Sequence, residues 1–127
     1  DNSGRSPLLW ASACGHEEAV KLLLEKSVSL DSIDNQGRTP LSWAAERGHS
    51  AIINLLLQPY CTKITPDLAD KNGRTPLSWA SACGHEEIVR LLLEKSVSLD
   101  SIDNQGRTPL SWAAERGHSA IIKLLLQ

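Results

Sequence analysis

The chain carries 13 basic and 15 acidic residues in 127, a net charge of −2, with the two signs interspersed, so nothing in its charge favours nucleic acid or an anionic membrane surface as partner. Its unbroken aliphatic runs are as short as the AII and LLL that flank Asn54, far below the roughly 20 apolar residues that cross a bilayer. The opening DNSGRSPLLW has no basic region followed by an apolar one, so no secretory signal is expected and a cytosolic or nuclear setting fits best.

In chain order, GRSPLLWASACGH at 4–16 is the first of four related strings, followed by GRTPLSWAAERGH at 37–49, GRTPLSWASACGH at 73–85 and GRTPLSWAAERGH again at 106–118. Gly4, Gly37, Gly73 and Gly106 are 33, 36 and 33 residues apart, a period that signals a solenoid. After Leu24 the first copy continues EKSVSLDSIDNQ, in which Val28, Leu30 and Ile33 alternate along an extended connector.

The second copy shows the unit most clearly. Asn35, Gln36 and Gly37 form a turn, Thr39 is a helix N-cap, and Pro40 takes the first helical position. Leu41, Ala44 and Ala45 give this short helix a face of small residues, and Gly48 stops it in a left-handed conformation. After His49, the apolar Ile52, Ile53, Leu55, Leu56 and Leu57 cover so much of a second helix that it must lie between packed layers.

Residues 58–69, QPYCTKITPDLA, occur once and account for the longer step. Pro59 and Pro66 lack an N–H, so a bulged loop is expected there, with the helical stack continuing through it. Residues 70–127 then repeat 1–58 with seven changes: Asn2/Lys71, Ser3/Asn72, Ser6/Thr75, Leu9/Ser78, Ala19/Ile88, Lys21/Arg90 and Asn54/Lys123. Val97, Leu99 and Ile102 form the copied connector. The expected architecture is all-α, one domain of four helix-turn-helix repeats at about 1–33, 34–69, 70–102 and 103–127, joined by extended turns and loops.

The pattern D-x-x-G-R-T-P-L-x-x-A-A-x-x-G-H, followed by I-V-x-L-L-L, resembles the ankyrin repeat over essentially the whole chain. The variant with Ser-Trp after T-P-L is similar to arrays in large fungal proteins. Two departures stand out. The family's His after T-P-L is replaced by Leu9, Ser42, Ser78 and Ser111, so the hydrogen bonds between repeats that this His makes are expected to be reduced. Its Gly closing the second helix is replaced by Ser27 and Ser96, and a left-handed residue other than Gly is strained.

The segment CGHEE, at 14–18 and 83–87, juxtaposes thiol, imidazole and carboxylates. The Gly-His pair also occurs as Gly48-His49 and Gly117-His118 without Cys or Glu, so it belongs to the repeat template as a turn element. Glu17, Glu18, Glu86 and Glu87 suit the first turn of a helix. Equivalent positions in successive repeats lie about 10 Å apart, too far for His16, His49, His85 and His118 to share a metal whose ligands sit about 2 Å away. Cys14 and Cys83, two repeats apart, are likewise beyond the reach of a disulfide, and with Cys61 suit a reducing compartment. No phosphate loop, dinucleotide fingerprint or zinc-protease motif occurs, so neither catalysis nor a cofactor is expected.

Arg5, Arg38, Arg74 and Arg107 form a row that acids such as Glu46 and Glu115 interrupt, which is expected to be a solvated, charge-mixed face. Trp10, Trp43, Trp79 and Trp112 admit two readings, packing against the next repeat or an aromatic ladder beside the arginines, since Trp and Arg often carry binding energy. The resemblance implies a protein-binding module that presents a concave surface of turn tips and first-helix ends. Carried over to this chain, its partner-binding residues are Asn2, Ser3, Arg5, Ala13 and Cys14; Asn35, Gln36, Arg38, Trp43, Glu46 and Arg47; Lys71, Asn72, Arg74, Ala82 and Cys83; and Asn104, Gln105, Arg107, Trp112, Glu115 and Arg116. The alternative is a structural spacer or self-associating segment of a longer repeat protein. Even the tip residues Asn35, Gln36 and Arg38 reappear as Asn104, Gln105 and Arg107, and Ile121, Ile122 and the final leucines are expected to leave an apolar end that associates end to end.

Overall fold

A computed structural model describes residues 4–26, 30, 32–58 and 65–127. Eight helices and no strand occur among them: α1 (Pro7–Cys14), α2 (Glu17–Glu25), α3 (Pro40–Arg47), α4 (Ser50–Leu56), α5 (Pro76–Cys83), α6 (Glu86–Leu93), α7 (Pro109–Arg116) and α8 (Ser119–Leu125).

Each first helix begins and ends as its local sequence dictates. The side chains of Ser6, Thr39, Thr75 and Thr108 accept from the N–H of Leu9, Ser42, Ser78 and Ser111, with Pro at the first helical position, satisfying donors that the helix start leaves open. At the other end Gly15, Gly48, Gly84 and Gly117 are left-handed, with φ of 73–80°. Each second helix starts one residue after its His, whose side chain makes no cap bond.

Helices α1, α3, α5 and α7 stack side by side, and α2, α4, α6 and α8 form a second layer over them. Ala44, Ala80 and Ala113, each fully buried, let the first layer approach closely. Between the layers one continuous apolar cluster runs from Leu8 and Val20 through Leu41, Ile53 and Leu56 to Leu77, Val89 and Leu92, ending at Ile121 and Leu125. Full burial of such a side chain contributes about 1.5–3 kcal/mol. The apolar coverage of the second helices thus has the cause expected of it, although Leu22 remains exposed.

The connectors bury less than their alternation suggests. Val97 is buried, whereas Ile33, Leu99 and Ile102 are exposed; Val28 lies outside the described residues. Ser96 is the one described residue other than glycine with positive φ, at 57°, which places the expected strain at the end of α6. Its counterpart Ser27 lies outside the described residues, as does half of the single-copy segment, from 59 to 64. The stack runs on across that segment, because α3 packs on α5 and α4 on α6. In the described part of that segment, the Asp67 carboxylate accepts from the Ser98 N–H at 3.1 Å.

Candidate functional site

The turns before the first helices are built around an aspartate. Asp34 Oδ1 accepts from the N–H of Gln36 (2.9 Å) and Arg38 (3.0 Å), while Oδ2 accepts from the Trp43 indole at 3.0 Å. Asp70 does the same for Asn72, Arg74 and Trp79, and Asp103 for Gln105, Arg107 and Trp112. Burial alone would raise the Asp34 and Asp103 carboxyls, but these hydrogen bonds, with Arg5 beside Asp34 and Arg74 beside Asp103, outweigh it and hold both below the usual carboxylate range. Adjacent turns are also tied backbone to backbone, Lys71 N–H to the Gln36 carbonyl at 2.9 Å and Asn104 N–H to the Asn72 carbonyl at 2.8 Å.

Trp43, Trp79 and Trp112 are thereby each pinned against arginines from two repeats. The Arg5 guanidinium lies 4.7 Å from the Trp10 ring and 4.6 Å from Trp43; Arg38 lies 3.9 Å from Trp43 and 4.1 Å from Trp79. Arg74 lies 5.2 Å from Trp79 and 4.9 Å from Trp112, and Arg107 4.5 Å from Trp112. The two rows interdigitate into one ladder, with guanidinium–ring contacts worth about 0.5–2 kcal/mol each according to burial. Both readings of the tryptophans hold in part: a ladder exists, and at Trp43 (8% exposed) and Trp112 (6%) it is packing. Trp10, 43% exposed, is the rung most open to solvent.

The arginines are of two kinds, which alternate through the two-repeat cassette. In the second and fourth repeats Glu46 and Glu115 pair with the arginine of their own repeat, Arg38 at 2.6 Å and Arg107 at 3.0 Å. The first and third repeats have Ala13 and Ala82 at that position. There the arginine crosses the joint instead, Arg5 to Asp34 at 3.7 Å and Arg74 to Asp103 at 3.4 Å.

The expectation of a solvated arginine row is corrected at Arg38. It is only 6% exposed, and its Nε and Nη2 donate to the Ser42 hydroxyl and carbonyl. A buried cation needs such partners; desolvation still draws its pKa down, opposed by Glu46 and by the more distant Asp70 and Asp34.

Five expected contact residues, Ala13, Arg38, Trp43, Ala82 and Trp112, are buried, because neighbouring repeats cover them. Asn35, Gln36, Lys71, Asn72, Asn104 and Gln105 at the tips are exposed, as are Cys14, Arg47, Cys83, Glu115 and Arg116 at the helix ends. Arg5, Glu46, Arg74 and Arg107 are half-buried. Asn2 and Ser3 lie outside the described residues.

Two roles were not anticipated from sequence. The aspartates recur three residues before each turn glycine, a visible signal whose purpose emerges only with the indole partner. The histidines link repeats rather than serving their own turn: Nε2 of His49, His85 and His118 lies 3.1, 2.7 and 3.1 Å from the carbonyls of Ala13, Glu46 and Ala82. Their rings crowd Gly15, Gly48 and Gly84, where a Cβ would meet the imidazole at 2.7–2.8 Å. Ser42, Ser78 and Ser111 serve the helix start or the arginine of their own repeat. The polar links between repeats are carried by the Gly-His pair, by Arg and Trp, and by the bonds between turns.

The CGHEE segments are dispersed rather than assembled. Glu17 and Glu18 pair with Lys21, and Glu86 and Glu87 with Arg90, along exposed helix faces. Burial, then the Glu46 charge, pushes the Cys83 thiol up despite Arg116 and Arg38, the opposite of nucleophile activation. Among the described residues no group of three His, Cys, Asp or Glu is placed to hold a metal, and no helix is long and apolar enough to cross a membrane. A cleft of about 70 Å³ opens between Trp79 and Trp112, against Arg74, Ser78, Cys83 and Arg116. In the first cassette Leu9 stands in place of Ser78 and packs with Ala13 and Trp43.

A two-layer stack of helix-turn-helix units with rigid, outward turns is a helical repeat array. A family model described as ankyrin repeats (3 copies) matches residues 1–67 and again 62–127, and the chain belongs to that family. A comparison with curated proteins finds no match. Ankyrin repeats are in general protein–protein interaction modules and typically not enzymes.

Proposed function

We propose that this array is a non-catalytic module that binds a protein partner through its turn tips and the exposed ends of its first helices. Gln36, Lys71, Asn72 and Gln105, with Arg47, Cys83, Glu115 and Arg116, would carry the contacts. The supporting observation is that the tip side chains are exposed while the backbone beneath them is fixed by an aspartate in each described turn and by bonds between turns. A surface ordered before binding loses little conformational freedom on association. The exposed thiols of Cys14 and Cys83 fit a reducing compartment, the cytosol or nucleus.

The test uses a partner recovered with the wild-type array from the source cell. Gln36→Ala, Asn72→Ala, Gln105→Ala and Arg116→Ala together should weaken its affinity by about tenfold or more, the loss of about 1.4 kcal/mol, with the melting temperature unchanged. Lys123→Ala, on the exposed side of α8, should have no effect. Affinity untouched by the four changes would remove this surface and favour the spacer reading, which rests on the recurrence of Asn35, Gln36 and Arg38 as Asn104, Gln105 and Arg107.

A further inference from the structure

Two of the positions at which the first helices differ line the cleft between Trp79 and Trp112. They lie two and six residues after the leading proline, and in chain order they read Leu9 and Ala13, Ser42 and Glu46, Ser78 and Ala82, and Ser111 and Glu115. A bulky side chain fills one of the two in every repeat except the third. Leu9 packs with Ala13 and Trp43 in the first repeat, and Glu46 bonds to Arg38 in the second. In the third, Ser78 and Ala82 are both small, and the cleft of about 70 Å³ opens over them.

The preceding joint shows what such a cleft takes. Arg38 is satisfied at every nitrogen of its guanidinium, Nε and Nη2 by Ser42 and Nη1 by the Glu46 carboxylate. Arg74 stands at the same place in the third repeat without a glutamate. Among the described residues its side chain donates only from Nε, to Asp103 Oδ2 at 3.4 Å, which leaves both Nη groups without an acceptor at the cleft wall. Arg116 reaches the cleft from the fourth repeat, and its ion pair with Glu115 is 3.8 Å long and shared with Arg107. Its exposure is a property of the position, since Arg47, the matching residue of α3 with α5 packed alongside, is exposed as well. Burial keeps the Cys83 thiol protonated, so it brings no negative charge.

We propose that this cleft receives the side chain of a glutamate from the protein partner. Its carboxylate takes the role of Glu46, accepting from Arg74 and Arg116, and its methylenes lie between Trp79 and Trp112. Bonds from guanidinium to carboxylate are about twice as strong as neutral ones. A leucine, which fills the equivalent place in the first repeat, supplies nothing for the Nη groups. The volume is several times the about 10–15 Å³ that one water needs, room for the few heavy atoms of one side chain. This anchor presupposes that the array binds protein through its first-helix ends, and it adds the chemistry recognised between the third and fourth repeats.

A random-peptide phage library selected on the wild-type array and counter-screened on Ala82→Glu tests this. Ala82→Glu supplies the carboxylate from within, as Glu46 does for Arg38, and should keep at least the wild-type melting temperature. Ser78→Leu, copying Leu9, closes the cleft in a second way. Peptides that lose about tenfold or more on both variants should contain a glutamate, and its replacement by glutamine in the synthetic peptide should cost a similar factor. Cleft-directed peptides without an acidic residue, a glutamine peptide that binds as well, or a selection that yields no peptide sensitive to the two variants would each overturn the proposal. The partner recovered with the wild-type array separates this anchor from the wider surface. Affinity lost with Gln36→Ala, Asn72→Ala and Gln105→Ala but kept with Ala82→Glu would leave the binding module standing and remove its glutamate anchor.

Discussion

Arg38 and Arg107 stand in identical local sequence and in different surroundings. Arg38 lies between Trp43 and Trp79 and bonds to Glu46 and Ser42 with almost no exposure. Arg107 has one ring and a glutamate whose side chain is 46% exposed. Arg38→Glu should therefore lower stability by about 3–5 kcal/mol, the range for breaking a buried ion pair, and Arg107→Glu by no more than about 1 kcal/mol; denaturant titration of the two variants reads the contrast, and equal losses would refute it. Ser12 and Ser81 offer the opposite case. Each hydroxyl is fully buried without a hydrogen-bond partner, at a helical position where the other repeats have Ala45 and Ala114. Ser81→Ala should raise stability by about 1 kcal/mol, since an unsatisfied buried polar group costs about 1–3 kcal/mol and the alanine already fits the equivalent site.

The turn is the element most exposed to acid. Asp34 and Asp103 have depressed carboxyl pKa values in the folded chain, so the stabilisation they bring is complete above the unfolded-state value of about 3.9 and is lost as pH falls through the folded value. Stability should be level with respect to these groups near neutrality and fall on the acid side of about pH 4. Asp34→Asn with Asp103→Asn should flatten that acid limb and cost about 1–3 kcal/mol per site at pH 7, because the amide nitrogen opposes a donor indole; urea melts at several pH values measure both. The helices of these units were legible because their limits are local: Thr39 and Pro40 start α3 and Gly48 stops it, all through contacts within a few residues. What was not legible depended on a neighbouring repeat. His85 bonds 39 residues back, and whether an arginine is a solvated surface group or a buried rung follows from which repeat covers it. The exposure of the tip residues was legible because turn chemistry sets it. Ala13, Ala82, Trp43 and Trp112 are buried where exposure was expected, because side chains of adjoining repeats, such as Arg5 over Trp43 and Arg74 over Trp112, lie against the first helices.

Across the whole molecule the two cassettes are joined as firmly as the repeats within each. The apolar cluster is continuous from Leu41 and Ile53 to Leu77 and Ile88, Arg38 bridges Trp43 and Trp79, and the Lys71 and His85 bonds cross the same joint. In a repeat array, stability is the sum of unit terms and nearest-neighbour interface terms, and strong interfaces make the units melt together. The number of melting peaks does not test this, because cassettes of nearly identical sequence would melt at nearly the same temperature even if independent. The ratio of van't Hoff to calorimetric enthalpy does. It should be close to one for a single cooperative unit and about one half for two independent equal halves. Trp79→Ala removes the ring that caps Arg38 across the middle joint and should lower that ratio as well as the melting temperature, whereas Trp10→Ala, at the exposed end of the ladder, should leave the ratio at the wild-type value. A wild-type ratio near one half would mean that the single-copy segment uncouples the cassettes despite the contacts that cross it.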